Sequence, residues 1–165
     1  MESKTLFAIG LIILLLLAGV ATFAPLLAPH SPTEQNLEKD LSPPSQEHLF
    51  GTDKLGRDIL SRVLYGARIS LLVGLSTVAI TCLIGVLLGS LSGYFGRWTD
   101  QLIMRLIDVL LAFPGILLAI AFTAVFGPSL KHVIVALCLI GWTGYARLVR
   151  GEILALRERE FVHAA

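Results

Sequence analysis

Residues that carry chemistry are scarce in this sequence, and each scarcity removes a class of function. There are two cysteines among 165 residues. Cys82 and Cys138 both lie inside apolar runs and lack Cys-x-x-Cys spacing, which argues against a disulfide framework or a zinc site and for small packing residues. The four histidines, His30, His48, His132 and His163, are widely separated along the chain. No His-Glu-x-x-His, no Gly-x-Ser-x-Gly and no glycine-rich loop ending in Lys-Ser or Lys-Thr occurs, so the usual metalloprotease, hydrolase and nucleotide-phosphate signatures are missing. No catalytic residue, resident cofactor or metal ligand is expected, and the chain cannot hydrolyse ATP itself. Charge is scarce as well. Only 15% of residues are charged and the formal net charge is +1, which gives no basic field for nucleic acid and no acidic tail.

What is plentiful is apolar length. Hydrophobic residues make up 55% of the chain and the mean hydropathy is +0.80, a composition of membrane proteins and not of soluble domains. A hydrocarbon core of about 30 Å takes about 20 helical residues. Four stretches qualify as spans: residues 6–28, 69–93, 102–126 and 132–149, the last with Arg147 snorkelling to the interface. The first could instead be a cleaved signal peptide, but its apolar core is too long for an ordinary h-region, and a retained helix is expected. An even number of spans places both ends on one side. Charge does not say which, because Lys39, Lys54, Arg57, Arg62, Arg68 and Lys131 nearly match Lys4, Arg97, Arg105, Arg147, Arg150, Arg157 and Arg159 across the membrane.

The one long polar stretch runs between the first two spans. It opens with Pro29 and Pro32, continues through Pro43 and Pro44, and changes character at Asp58. From there Ile59, Leu60, Val63, Leu64, Ala67 and Leu71 recur at helical spacing, with Arg57, Ser61, Arg62, Tyr65 and Arg68 on the opposite face. This pattern predicts an amphipathic helix lying in the interface ahead of the second span, whether as an anchor only or as part of a site.

Three features fall within the apolar segments. Gly85, Gly89 and Gly93, four residues apart, form a smooth strip that lets another helix approach closely. Asp100, Met104 and Asp108 share a helix face, and Arg105 can reach Gln101 or Asp108. A lone Arg or Asp at membrane depth costs on the order of 3 kcal/mol, so Arg105 is expected to pair with Asp108 or with a neighbouring subunit. Pro114 breaks the helical ladder, either beside a cavity or against a packed neighbour.

Taken together, "LAPHSP", "PPSQEHLFGTDKLGRDILSRVLYGARISLLVG", "GYFGRWTDQLIMRLIDVLLAFP" and "RLVRGEILALREREFVHAA" resemble the permease subunits of ATP-binding-cassette importers for dipeptides, oligopeptides and nickel. More narrowly they are similar to the second, C-type permease of the pair. The series Gly51, Thr52, Asp53, Gly56, Arg57, Asp58, Ser61, Arg62, Gly66, Ala67 and Arg68, at this spacing and directly before an apolar span, is the specific part. The resemblance implies an all-α polytopic helix bundle of the type I importer kind, with four of an expected six spans and the external amphipathic helix. It divides the chain into residues 1–68, a first span with an extracytoplasmic linker and amphipathic helix, and residues 69–165, the first part of the permease domain.

The resemblance also implies what the arginine-dense end is for. In that family it begins the cytoplasmic EAA loop, whose short helix docks on the ATPase subunit. Glu160, Phe161 and Val162 fit the lead-in, Ala164 and Ala165 match the two alanines, and His163 stands where a Glu is common. The rest of that loop and two further spans are not in the sequence, so a chain ending there is expected to insert without coupling to ATP hydrolysis. The implied partners are a second permease in a heterodimer, two ATP-binding cassette subunits that hold the ATP, an extracytoplasmic substrate-binding protein and membrane lipid. The implied location is the plasma membrane of a bacterium or archaeon, with Met1 cytoplasmic and residues 29–68 outside. Two other classes compete. A secondary transporter or channel would depend on an ion gradient, and a membrane enzyme would lose an activity on substitution of His132 or Asp108.

Overall fold

The computed structural model describes residues 2–157. The described residues are almost entirely helical: α1 (Glu2–Leu27), a single 3-10 turn (Leu37–Lys39), α2 (Ile59–Phe95), α3 (Arg97–Leu111), α4 (Gly115–Phe126) and α5 (Leu130–Arg157). Three of these, α1, α2 and α5, are long and apolar enough to cross a membrane, and α3 with α4 makes a fourth if the bent pair is one span. The chain divides into two compact units, Met1–Leu72 and Val73–Ala165.

In the first unit, α1 is free of charge beyond Lys4, a run of leucine, isoleucine and small residues that ends where Pro29 disfavours helix for the residue before it. The connection to α2 is a hydrogen-bonded loop whose closest approach to a ladder is one antiparallel bridge between Thr52 and Asp58. Asp58 then starts α2: its Oδ2 accepts the Ser61 amide at 2.8 Å, the N-cap bond that satisfies an otherwise unpaired donor of the first turn.

The helical spacing read from Asp58 onward is indeed helix, and it continues without interruption into the second span. The expected interfacial helix and the expected span are one helix of 37 residues, about 55 Å long at 1.5 Å per residue. Gly66 alone does not break it, and no proline follows until Pro114.

In the second unit α2 ends at Gly96, whose φ of 62° is followed by another positive φ, 45° at Arg97. These two residues turn the chain into α3. The apolar face of α3 carries Ile103 and Ile107, one helical turn apart, into a small core with Trp142 and Ala146 of α5, flanked by Ile84, Leu88, Met104 and Leu110. The third expected span, residues 102–126, is not continuous. Pro114 has no amide hydrogen to donate, α3 stops at Leu111, and α4 leaves at 80° to it. Gly127, at a φ of 90°, ends α4, and Ser129 opens α5 by accepting the His132 amide on its hydroxyl and the Val133 amide on its carbonyl.

Candidate functional site

Two clusters hold the residues singled out by sequence. The first lies in the loop ahead of α2, where Gly51 and Gly56 sit at φ values of 72° and 67°, in the left-handed region that disfavours any side chain. A Cβ on Gly56 would also collide with the Asn36 backbone, and one on Gly51 with the Ser42 carbonyl. Thr52 closes the loop from the side: its hydroxyl donates to the Lys39 carbonyl at 2.5 Å and accepts the Ser42 amide at 2.9 Å. Asp53 accepts the amides of Leu55 and Arg57 at 2.8 and 3.1 Å and the Arg57 Nε at 2.9 Å, and it pairs with Arg62 as well. Partial burial would raise the Asp53 pKa, but the Arg57 side chain and those two amides reverse the effect and hold it far below the usual carboxylate range.

Asp58 is the hub of this cluster. It is 2% exposed, its Oδ1 lies 3.0 Å from His48 Nδ1, and Ser61, whose amide it holds, accepts the His30 amide at 3.1 Å. Burial raises its pKa, and the Ser61 amide and hydroxyl with the His48 ring bring it below the ordinary value. Glu47 is likewise lowered, chiefly by the hydrogen bond from Lys39. Gly66 has open space where a Cβ would go, and Arg68 forms no ion pair among the described residues. The signature is thus a locked scaffold from Gly51 to Arg62 and an open helix face beyond it.

Two of the histidines that stand widely separated along the chain are brought together by the fold. The rings of His30 and His48 lie 4.7 Å apart between centroids. Nothing in local spacing announces it, because 18 residues separate them and the intervening loop is irregular.

The second cluster is the seam between α2 and α5. A Cβ on Gly85 would run into Tyr145 and the Trp142 carbonyl, one on Gly89 would lie 3.0 Å from the Ala146 Cα, and one on Gly93 would lie 2.9 Å from the Ile153 Cβ. The strip therefore lies against α5, backbone to backbone. Sequence reasoning missed its counterpart, Gly141, where a Cβ would stand 2.8 Å from the Thr81 methyl. Asp100 faces this seam and takes Arg150 in a two-pronged pair, with Arg150 Nη2 donating at 2.6 Å and Nε also bonded, while the Ser92 hydroxyl donates to Oδ1 at 2.5 Å. Arg157 donates to the Gly93 and Tyr94 carbonyls at 3.1 and 3.3 Å, which places a cation at the negative end of α2.

The expected pair of Arg105 with Asp108 is not formed. Asp108 takes Arg147 of α5 at 2.6 Å instead, because the packing of α3 on α5 brings Arg147 within reach of it. Pro114 marks the break between α3 and α4, beside an apolar groove between α4 and α5 lined by Gly115, Ala119, Thr123, Val133 and Ile140. Glu160, Phe161, Val162, His163, Ala164 and Ala165, the expected ATPase-coupling segment, lie outside the described residues.

Membrane-length helices joined by a close-packed glycine seam, with a tightly tied polar loop before the second of them, describe a multi-pass helical membrane protein. The comparisons agree. Residues 85–165 match the family of binding-protein-dependent transport system inner membrane components, and residues 3–44 match the N-terminal transmembrane domain of oligopeptide transport permease C. The dipeptide transport system permease protein of Alkalihalophilus pseudofirmus is 47% identical over 165 residues, 100% of this chain and 54% of that protein. The dipeptide permease of Bacillus subtilis is 45% identical over 165 residues, 100% of this chain and 52% of that protein. The oligopeptide transport system permease of the same organism is 42% identical over 164 residues, 99% of this chain and 54% of that protein. The chain belongs to the family of inner membrane components, the permease subunits, of binding-protein-dependent transport systems. It spans about half the length of the curated relatives it matches.

Proposed function

We propose that this chain serves as one membrane subunit of an ATP-driven peptide importer and forms part of the path by which peptides cross the plasma membrane. The observation that carries the reading is the 47% identity over all 165 residues to a dipeptide transport permease. The peptide relatives favour di- and oligopeptides over nickel as cargo. The working assembly contains a second permease subunit, two ATP-binding cassette subunits that bind and hydrolyse ATP, and an extracytoplasmic binding protein that delivers the peptide to the loop ahead of α2. In this reading Met1 is cytoplasmic, residues 29–68 face outside, and the sequence from Glu160 to Ala165 belongs to the loop that the ATPase recognises.

The described contacts suggest how movement there reaches the bundle. Arg157 is tied to the end of α2 and Arg150 to Asp100 of α3, so a displacement of the C-terminal end of α5 acts on both neighbours at once. An ATPase that closes on a docked helix then biases a two-state bundle through contact alone, with no chemistry in the membrane subunit.

The test is uptake of a labelled dipeptide by cells expressing a permease in which this sequence is continued through the rest of the coupling loop and two further spans, with the sequence of residues 1–165 unchanged or carrying Gly89→Leu. The unchanged sequence should support uptake that survives collapse of the proton gradient and stops on ATP depletion, and Gly89→Leu should remove it. Uptake that stops with the gradient while ATP persists would overturn this reading and favour a secondary transporter.

A further inference from the structure

Potential ligand groups from separate parts of the chain converge in the loop scaffold ahead of α2. His30 follows α1, Glu47 and His48 lie in the loop, and one ligand atom from each falls within 4.8 Å of the others. Two further observations distinguish this group from an ordinary polar cluster.

The first concerns His48, whose ring is oriented from behind. Its Nδ1 is engaged by Asp58 at 3.0 Å, and Nε2 has no described hydrogen bond. A carboxylate on one imidazole nitrogen fixes the tautomer and ring plane and makes the other nitrogen a better donor to a metal. The second concerns His30. Its Nδ1 is buried without a hydrogen-bond partner, and at 3.9 Å from Asp58 Oδ1 it is beyond hydrogen-bond reach. Buried ring nitrogens are normally satisfied. Lys39 occupies only Oε1 of Glu47, at 2.5 Å, which leaves the other oxygen. These groups border a cleft of about 90 Å³, room for an ion and its remaining water.

We propose that His30, Glu47 and His48 form a binding site for a divalent first-row transition cation, of which Zn²⁺ is the natural probe, with Asp58 orienting His48. Two imidazoles and one carboxylate suit zinc and its neighbours, and not calcium or magnesium, which take oxygen ligands. Three protein ligands leave a fourth position for water. Occupancy ties the segment after α1 to the loop before α2 and stiffens the scaffold where the signature residues lie.

The experiment is calorimetric titration of the whole chain, purified in detergent and stripped with chelator, with Zn²⁺ in excess Mg²⁺. The site predicts one zinc per chain. His30→Ala and Glu47→Gln should each weaken binding by about tenfold or more, and a Cys82→Ala, Cys138→Ala double variant should bind as wild type. His48→Ala should abolish binding but can also disturb the loop, so the first two variants carry the test. Co²⁺ gives a second readout, visible absorption bands of a tetrahedral nitrogen and oxygen site that His30→Ala removes. The proposal is overturned if no zinc binds, if His30→Ala and Glu47→Gln bind it as wild type does, or if binding follows the cysteines.

Discussion

The two units of this chain are held by opposite means. The first is stitched by polar atoms: within residues 30–62 a few side chains, Thr52, Asp53, Asp58 and Ser61, tie distant backbone segments to one another. The second is held by the absence of side chains, because Gly85, Gly89 and Gly93 let α5 lie directly on the α2 backbone, and by a few charges placed across helices. The difference follows from solvent. Where water competes, a loop without a core keeps its shape by satisfying its own amides and carbonyls. In lipid, burial of apolar surface gives helices no reason to associate, and close packing with interhelical polar bonds takes over.

This contrast orders the expected effects of substitution. Gly89→Leu should be the most damaging, since the new side chain meets the backbone of Ala146 and cannot be relieved by a rotamer change. A loss of at least ~3 kcal/mol is expected, visible as lost thermal stability in detergent while membrane insertion persists. Removing Asp100 strands Arg150 and frees Ser92, so Asp100→Ala should cost about 2–3 kcal/mol in the same assay. Asp108→Asn breaks a more exposed pair and should cost no more than about 1 kcal/mol. A comparable cost for both would mean that Arg150 holds no special place in the seam.

The loop should show a sign reversal within one signature. Gly56→Ala forces a side chain into a left-handed conformation against Asn36 and should cost at least ~1–2 kcal/mol, read as faster proteolysis between α1 and α2. Gly66→Ala, in the interior of α2 with nothing near its Cβ, should stabilise by roughly 0.5–1 kcal/mol. If both destabilise equally, Gly66 has a contact that lies outside the described residues.

Acid gives the gentlest separation of the two units. The folded pKa of Asp53 lies below its unfolded value, so its contribution is fully present above the ordinary carboxylate pKa and is lost as pH falls from there toward the lower folded value. Below about pH 4 the loop should become protease-sensitive before α2 and α5 separate, and Asp53→Asn should reduce that pH dependence, leaving the part that Asp58 and Glu47 contribute.

These arrangements were unequally legible in sequence. Spans α1, α2 and α5 follow from run length, and the glycine strip from its period of four. The turn at Pro114 could be placed but not its 80° angle, which is set by what α4 packs against. The partner of Asp100 stands 50 positions away in Arg150, where no helical spacing points to it, and Arg105 was the nearer but wrong candidate for Asp108. The meeting of His30, His48 and Asp58 depends on the path of an irregular loop, which periodicity does not encode.

The proposed topology has α2 crossing the membrane, with the polar loop ahead of it outside. Labelling with a membrane-impermeant thiol reagent tests it most directly, using Gln46→Cys and Arg97→Cys in a background without Cys82 and Cys138. The account predicts that intact cells expose Gln46→Cys to the reagent and that Arg97→Cys reacts only after permeabilisation. Reaction of both positions in intact cells, or of neither, would show that α2 does not cross, and the reverse pattern would turn the chain over and contradict the assignment of the scaffold to the outside.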